Sequence, residues 1–425
     1  MQAFSKQFHW CRAAIAEPYR VFFPLGVFWA FWGISHWLFY AVHWIPQYSM
    51  QLHSHIQIHA YMGCFITGFL LTAMPRFASA RSASPVEFLI FFILVNAAPV
   101  LYMCQAWIAG RICFASWLLM LAFFAGRRFF AKKKDSNIQP PVEFVWIPAG
   151  LLAGLAGTLL LIGSDLNWFP PPVNKIAKLL LEQGFLLSIV VGVGSFLGPR
   201  LMGTYRPLFT GMDVQAQKRR RRQSLAVQLA AIAGIAVSFV TEGLGLIRAG
   251  YFLRTAVIGF IYFRAHALAV KPLMKEPFVR MLWLSFWMVF LGHAIIIFFP
   301  LYRAALLHIA FIGGYGLMVF AVGLMVIFSH GGQTQRLKAH AVFLSVISAL
   351  IGTALILRIA AVYYSELFFV LLGTAAASWL LGAGLWLYLV SNALFSGVSS
   401  EELERCHEEA KQRVESLRSG KPLKS

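Results

Sequence analysis

Leu52-His53-Ser54-His55-Ile56-Gln57-Ile58-His59 runs on without a charged residue to Gly68-Phe69-Leu70-Leu71-Thr72-Ala73-Met74-Pro75. An uncharged stretch of this length crosses a bilayer as a helix, whereas a barrel strand would need about half the residues and would alternate in polarity. Imidazoles rarely enter hydrocarbon without a partner. Three at the mouth of one apolar span therefore mark a functional site before the rest of the chain is read.

Working outward, the whole chain has the same character. Its 425 residues are 59% hydrophobic and only 12% charged, with a mean hydropathy of +0.71, which excludes a soluble protein of ordinary composition. Apolar segments predict twelve spans, at about 21–44, 54–75, 85–106, 108–130, 142–164, 176–198, 224–247, 250–270, 278–299, 304–329, 339–362 and 366–393. The fold class is all-α, a polytopic transmembrane helical bundle, because helices satisfy every backbone polar group within one segment. A single transmembrane domain over 1–396 and a short polar tail over 397–425 are expected. No internal repeat is read, and no cleavable signal with an A-x-A site precedes the first span.

The net charge of +20 would suit a nucleic-acid partner, but its distribution suits a membrane. Lys and Arg crowd the loops after spans two, four, six, eight and ten: Arg76 and Arg81, then Arg127, Arg128 and Lys132 to Lys134, then Arg200, Arg206 and Lys218 to Arg222, then Lys271, Lys275 and Arg280, then Arg336 and Lys338. The alternate loops hold few: Arg111, Lys175, Lys178, Arg248, Arg254 and Arg303, with Arg358 at a span end. The positive-inside rule then places both termini in the cytoplasm and the Lys218 to Arg222 run against lipid headgroups.

Cysteines add little. Cys11, Cys64, Cys104, Cys113 and Cys406 form neither CxxC nor CxxCH, so zinc-ribbon, thioredoxin-like and covalent-haem motifs are missing. A disulfide between Cys104 and Cys113, which flank one short outer hairpin, is the single bridge the spacing allows.

Topology sorts the histidines. His36, His43, His53, His55, His59, His293 and His308 fall on the outer side, and His9, His266, His330, His340 and His407 on the other. His293 and His308 are equally far from the turn at Pro300 and Leu301, so on antiparallel neighbours they share a depth; His43 and His55 are equidistant from Ser49. His55 and His59, one turn apart, share a helical face and suit one metal. His53 and His55 diverge on a regular helix and suit different centres. Met50, Met62 and Met74 are soft ligands that copper accepts. Ionisable groups inside spans are few: Glu182 and Glu242, candidate proton sites on the outer side, and Arg264. No phosphate loop and no Ser-His-Asp order occurs, so kinase and hydrolase readings lack support.

The H-x-H at His53 and His55, followed by Gly68 to Pro75, resembles the second span of the NnrS family. Pro18-Tyr19-Arg20-Val21-Phe22-Phe23 resembles that family's entry to span one. His308 to Gly316, with Ser329-His330-Gly331-Gly332, resembles its later histidine-glycine region. The chain departs where the family usually has Glu after the second histidine: Ile56 stands there, with His59 an extra imidazole one turn on. The resemblance implies a multi-pass protein of the bacterial inner membrane that binds haem and copper and meets nitric oxide or a metal nitrosyl species. On that reading His53, His55, His59, His293 and His308 are the haem and metal ligands, with His36, His43 and His330 as secondary candidates. Arg248, Arg254 and Arg303 stand where outer-side propionates would emerge. A second class of reading is a copper or small-solute transporter that captures its cargo at the outer histidines. It requires polar groups through the bilayer midplane, where the sequence has few.

Overall fold

The computed structural model describes residues 10–78, 80–130, 141–206, 213–331, 333–337, 340–395 and 405. Apart from Arg405, the tail expected at 397–425 lies outside the described residues, as do His9 and Lys132 to Lys134. Each apolar segment is a helix, and no strand occurs among the described residues: α1 Tyr19–Ala41, α2 Met50–Phe77, α3 Pro85–Met103, α4 Trp107–Phe130, α5 Val142–Asp165, α6 Pro171–Leu201, α7 Val214–Gly243, α8 Ile247–Arg264, α9 Pro277–Phe298, α10 Pro300–His330, α11 Ala341–Tyr363 and α12 Ser365–Phe395. Eleven of these are long and apolar enough to cross a membrane. The exception is α8, whose 18 residues include Arg248, Arg254 and Arg264.

Local chemistry sets the ends. Ser84 and Glu87 form a reciprocal capping box ahead of Pro85, which satisfies two otherwise orphaned amides at the start of α3. Asp213 caps α7 by accepting from the Ala216 amide at 2.7 Å, and Ser49 caps α2 by accepting from Leu52 at 3.1 Å. That last cap moves a boundary. The helix starts at Met50 rather than near 54, so His53 and His55 are both helical. His43 stays behind in the preceding loop, exposed and at φ +60°, and it does not mirror His55 across Ser49. The α9–α10 turn is as short as expected. A Cβ on Gly292 would meet the Ala310 amide nitrogen at 2.7 Å, which sets the neighbouring His293 and His308 at similar depth.

Three helices contain π-helical stretches: Ile56–Met62 in α2, Leu179–Phe185 in α6 and Ile309–Gly316 in α10. A π-turn adds one residue per turn, reorients the side chains on either side and is frequent at functional sites. Their places in the chain expose a period that hydropathy conceals. One constant interval separates Pro24 from Pro148, Gly26 from Gly150, Gly33 from Gly157, Gly68 from Gly192, Pro75 from Pro199 and Arg76 from Arg200. Their contacts correspond as well. A Cβ on Gly33 would strike Ile56 and Gln57, and one on Gly157 would strike Leu181; Gly68 faces Phe22 and Phe23, and Gly192 faces Trp146.

The following hairpins also match, Gln105 at φ +60° in one and Gly245 at φ +94° in the other. Gly110 closes on Tyr102 in the first, and Gly250 on Glu242 in the second. Spans α9 to α12 keep the plan with different residues: Glu276-Pro277-Phe278 echoes Glu17-Pro18-Tyr19, and a π-stretch again sits in the second helix. The expectation of no internal repeat is thus corrected. Apolar residues exchange freely in hydrocarbon, so identity survives only where backbones touch or charges are buried.

By contacts the chain divides into two compact units. The first comprises Met1–Ile138, Glu276–Met281 and Gly316–Val414, the second Gln139–Lys275, Leu282–Tyr315 and Glu415–Ser425. In the first, Phe65, Phe320 and Trp386 stack, and the Trp386 indole donates to Phe320 O at 3.1 Å. In the second, the Trp146 indole donates to Gln228 Oε1 at 2.7 Å. Cys104 and Cys113 are free thiols, and the hairpin between them is held by backbone hydrogen bonds around Gln105.

Candidate functional site

Four of the outer histidines share one feature. The Nδ1 atoms of His53, His55, His293 and His308 each sit 2.8 Å from a backbone carbonyl, of Gly33, Gln51, Val289 and Ala304 respectively. A carbonyl only accepts, so the neutral ring carries its proton on Nδ1 and presents the lone pair at Nε2. For His55, His293 and His308 the acceptor lies one helical turn back on the same helix, so the rotamer and the tautomer are fixed together. This is the second-shell arrangement that orients an imidazole as a metal ligand.

In the first unit, α2 directs its histidines to opposite sides, as the i, i+2 spacing expects. His53 turns to α1, with its ring 6.0 Å from that of His36 and 5.8 Å from Trp37. His55 and His59 turn to the α3–α4 hairpin. Their rings are 5.0 Å apart, and His55 lies 4.8 Å from Tyr102 and 5.6 Å from Trp107. His59 is 1% exposed. Its Nδ1 is 2.8 Å from the Tyr102 hydroxyl, Phe114 stacks on its face, and its Nε2 is buried with no hydrogen-bond partner. Tyr102 and the buried Arg111 beside it are functional candidates that sequence reasoning missed; only the outer-hairpin location of Arg111 hinted at them.

In the second unit, His293 is 1% exposed and its Nε2 is likewise buried and unpartnered. Tyr251 faces it at 6.2 Å between rings. Beside them lies a fully buried polar network. Arg254 donates to Gln183 Oε1 at 2.7 Å, to Glu242 Oε2 at 2.8 Å and to Ser238 Oγ at 3.2 Å, and its guanidinium covers Phe239 and Tyr251. Arg303 approaches the other Glu242 oxygen at 4.0 Å. Glu242, expected at an outer helix end, is therefore an interior counter-ion. The repeat relates the two units' sites: Gln183 occupies the place of His59, and Glu242 that of Tyr102. The first block offers imidazoles where the second offers a neutralised ion pair.

The remaining candidates are placed apart from these. Glu182 neighbours Lys178 on the partly exposed side of α6. Arg248 is exposed. His330 lies in the first unit with Glu17 and Arg76, where the Glu17 carboxylate bridges the other two. No cluster of three or more His, Cys, Asp or Glu side chains converges as a ready metal cage among the described residues.

These features define a polytopic α-helical membrane protein with tautomer-fixed histidines near one end of its spans. Residues 13–397, nearly the whole chain, match the family model described as NnrS protein, and the chain belongs to that family. No curated protein matches it.

Proposed function

We propose that the chain is a haem- and copper-binding protein of the bacterial inner membrane, with both termini cytoplasmic and its histidine sites near the periplasmic face, acting in the response to nitric oxide. The observation that carries the reading is the common hydrogen bond from Nδ1 to a backbone carbonyl in His53, His55, His293 and His308. The donor set fits. His293 keeps a buried, unpartnered Nε2 among apolar and aromatic neighbours, as an axial ligand of an iron porphyrin would. His55 and His59 stand one turn apart with rings 5.0 Å apart, as a copper-binding pair would. Iron or copper held there supplies an open coordination position for nitric oxide or a metal nitrosyl species.

The residues have separable tasks. His293 and His308 hold one metal group, while His55 and His59 hold copper, with Tyr102 fixing the His59 ring. Arg248 and Arg303 remain available to anionic edges of a cofactor, whereas Arg254 is committed to Glu242. The apolar walls exclude water, which keeps the imidazoles neutral and ready to ligate.

An optical spectrum and metal analysis of full-length protein purified from haem-replete cells tests this. A Soret band with bound copper is expected, and the band should fall or shift in His293→Ala. A colourless, metal-free preparation would overturn the reading.

A further inference from the structure

A guanidinium buried in a membrane helix needs an anion or a full set of acceptors, since an uncompensated charge there is among the costliest groups a protein can carry. Most buried arginines in this chain meet that need visibly. Arg20 donates to the carbonyls of Ala393 and Leu394, Arg128 pairs with Glu87 at 2.8 Å, and Arg254 pairs with Glu242 at 2.8 Å. Arg358, two turns from the outer end of α11 in the first unit, does not. Its Nη1 is shielded from solvent and has no hydrogen-bond partner, and burial is the whole of its described electrostatic environment, with no carboxylate acting on it.

Its neighbours bear lone pairs. His53 lies close enough to feel the Arg358 charge and presents Nε2, because its Nδ1 donates to Gly33 O at 2.8 Å. The His36 ring stands 6.0 Å from that of His53, and its Nε2 is also buried without a partner. Trp37 closes the apolar side, 5.8 Å from His53. A bare cation would suit the imidazoles but would be repelled by Arg358; a bare anion would suit Arg358 but would meet two lone pairs. A ligand carrying both an electron-pair acceptor and a carboxylate satisfies all three groups.

We propose that Arg358, with His36 and His53 beside it, is a carboxylate anchor at the outer end of the first unit, and that the carboxylate belongs to a metalloporphyrin. The sequence places the propionate-binding cations at Arg248, Arg254 and Arg303; burial and lack of partners single out Arg358 instead. This inference rests on the haem-binding reading above. Its guanidinium fork matches a carboxylate bidentately, which an ammonium cannot do.

The test is reconstitution of full-length apo-protein in detergent with haem and with haem dimethyl ester, whose propionates are blocked, followed by the Soret band. For wild type, haem should bind about tenfold more tightly than the ester, the worth of one charge-assisted pair. In Arg358→Gln haem affinity should fall to the ester's value, with no further loss for the ester itself. Arg358→Lys, which keeps the charge, should recover only part of it, and it carries the test if Arg358→Gln fails to fold. Equal discrimination between haem and ester in wild type and both variants would overturn the anchor while leaving haem binding intact. Failure of wild type to bind haem would overturn the functional reading and the anchor together. Thermal protection by acetate in wild type but not in Arg358→Gln, with unchanged haem affinity, would assign the site to a free carboxylate and overturn the porphyrin assignment.

Discussion

At the scale of the residue, the informative quantity is which nitrogen of each imidazole carries the proton. A histidine whose Nδ1 donates to a carbonyl is half-prepared as a ligand, and removing the ligand or its support should have separable effects. His293→Ala and His308→Ala are expected to reduce or shift the Soret band and to abolish protection against nitric oxide in cells. His407→Ala, beyond the described residues, should change neither; normal haem content in stably folded His53, His55, His293 and His308 alanine variants would place the transporter reading in front. Tyr102→Phe should leave the fold intact yet weaken copper binding about 10- to 100-fold, the usual effect of losing a group that orients a ligand. Titration with a copper chelator checks it. The H-x-H spacing made His53 and His55 visible, but Tyr102 could not be found from sequence, because its partner His59 lies on another helix.

At the scale of the element, the π-stretches and the glycine contacts explain why the second helix of each block is the one that carries chemistry. The wider turn rotates His59, Gln183 and the residues after His308 relative to a regular helix, and the glycines let a neighbour pack closely behind. Gly157→Leu should lower stability by about 1–3 kcal/mol through overpacking, since its Cβ would meet the Ala177 carbonyl oxygen at 2.7 Å. Gly352→Ala, whose Cβ meets nothing within 4 Å, is the control, and thermal unfolding in detergent reads both. The ion pair in the second block makes a sharper case. Glu242→Gln strands Arg254 in the interior and is expected to cost about 3–5 kcal/mol, whereas the double change Glu242→Gln with Arg254→Met should recover much of it.

At the scale of the whole molecule, α8 decides the topology. Its three arginines put it below the apolarity of the other spans, yet Arg254 is 0% exposed because Glu242, Gln183 and Ser238 surround it. A helix whose charge is neutralised by its neighbours can cross where its composition alone would not. Reporters fused after Arg222 and after Lys275 should both be cytoplasmic, and one fused near Pro170 periplasmic. A periplasmic reporter after Lys275 would mean that α8 does not cross, and it would invert every depth assigned to α9 and α10.

The sequence by itself determined the number and order of the helices, their charge asymmetry and the divergence of His53 from His55. Each depends on composition or on spacing along one helix, which the bilayer and the helical period fix locally. Only the tertiary structure decided that Glu242 is a buried counter-ion, that Tyr102 orients His59, that Arg358 lacks a partner and that the four-helix plan recurs. Those facts depend on which side chains meet across different helices. In a chain where nearly every position is apolar, hydropathy is too uniform to encode that pairing; close backbone contact and charge neutralisation encode it instead.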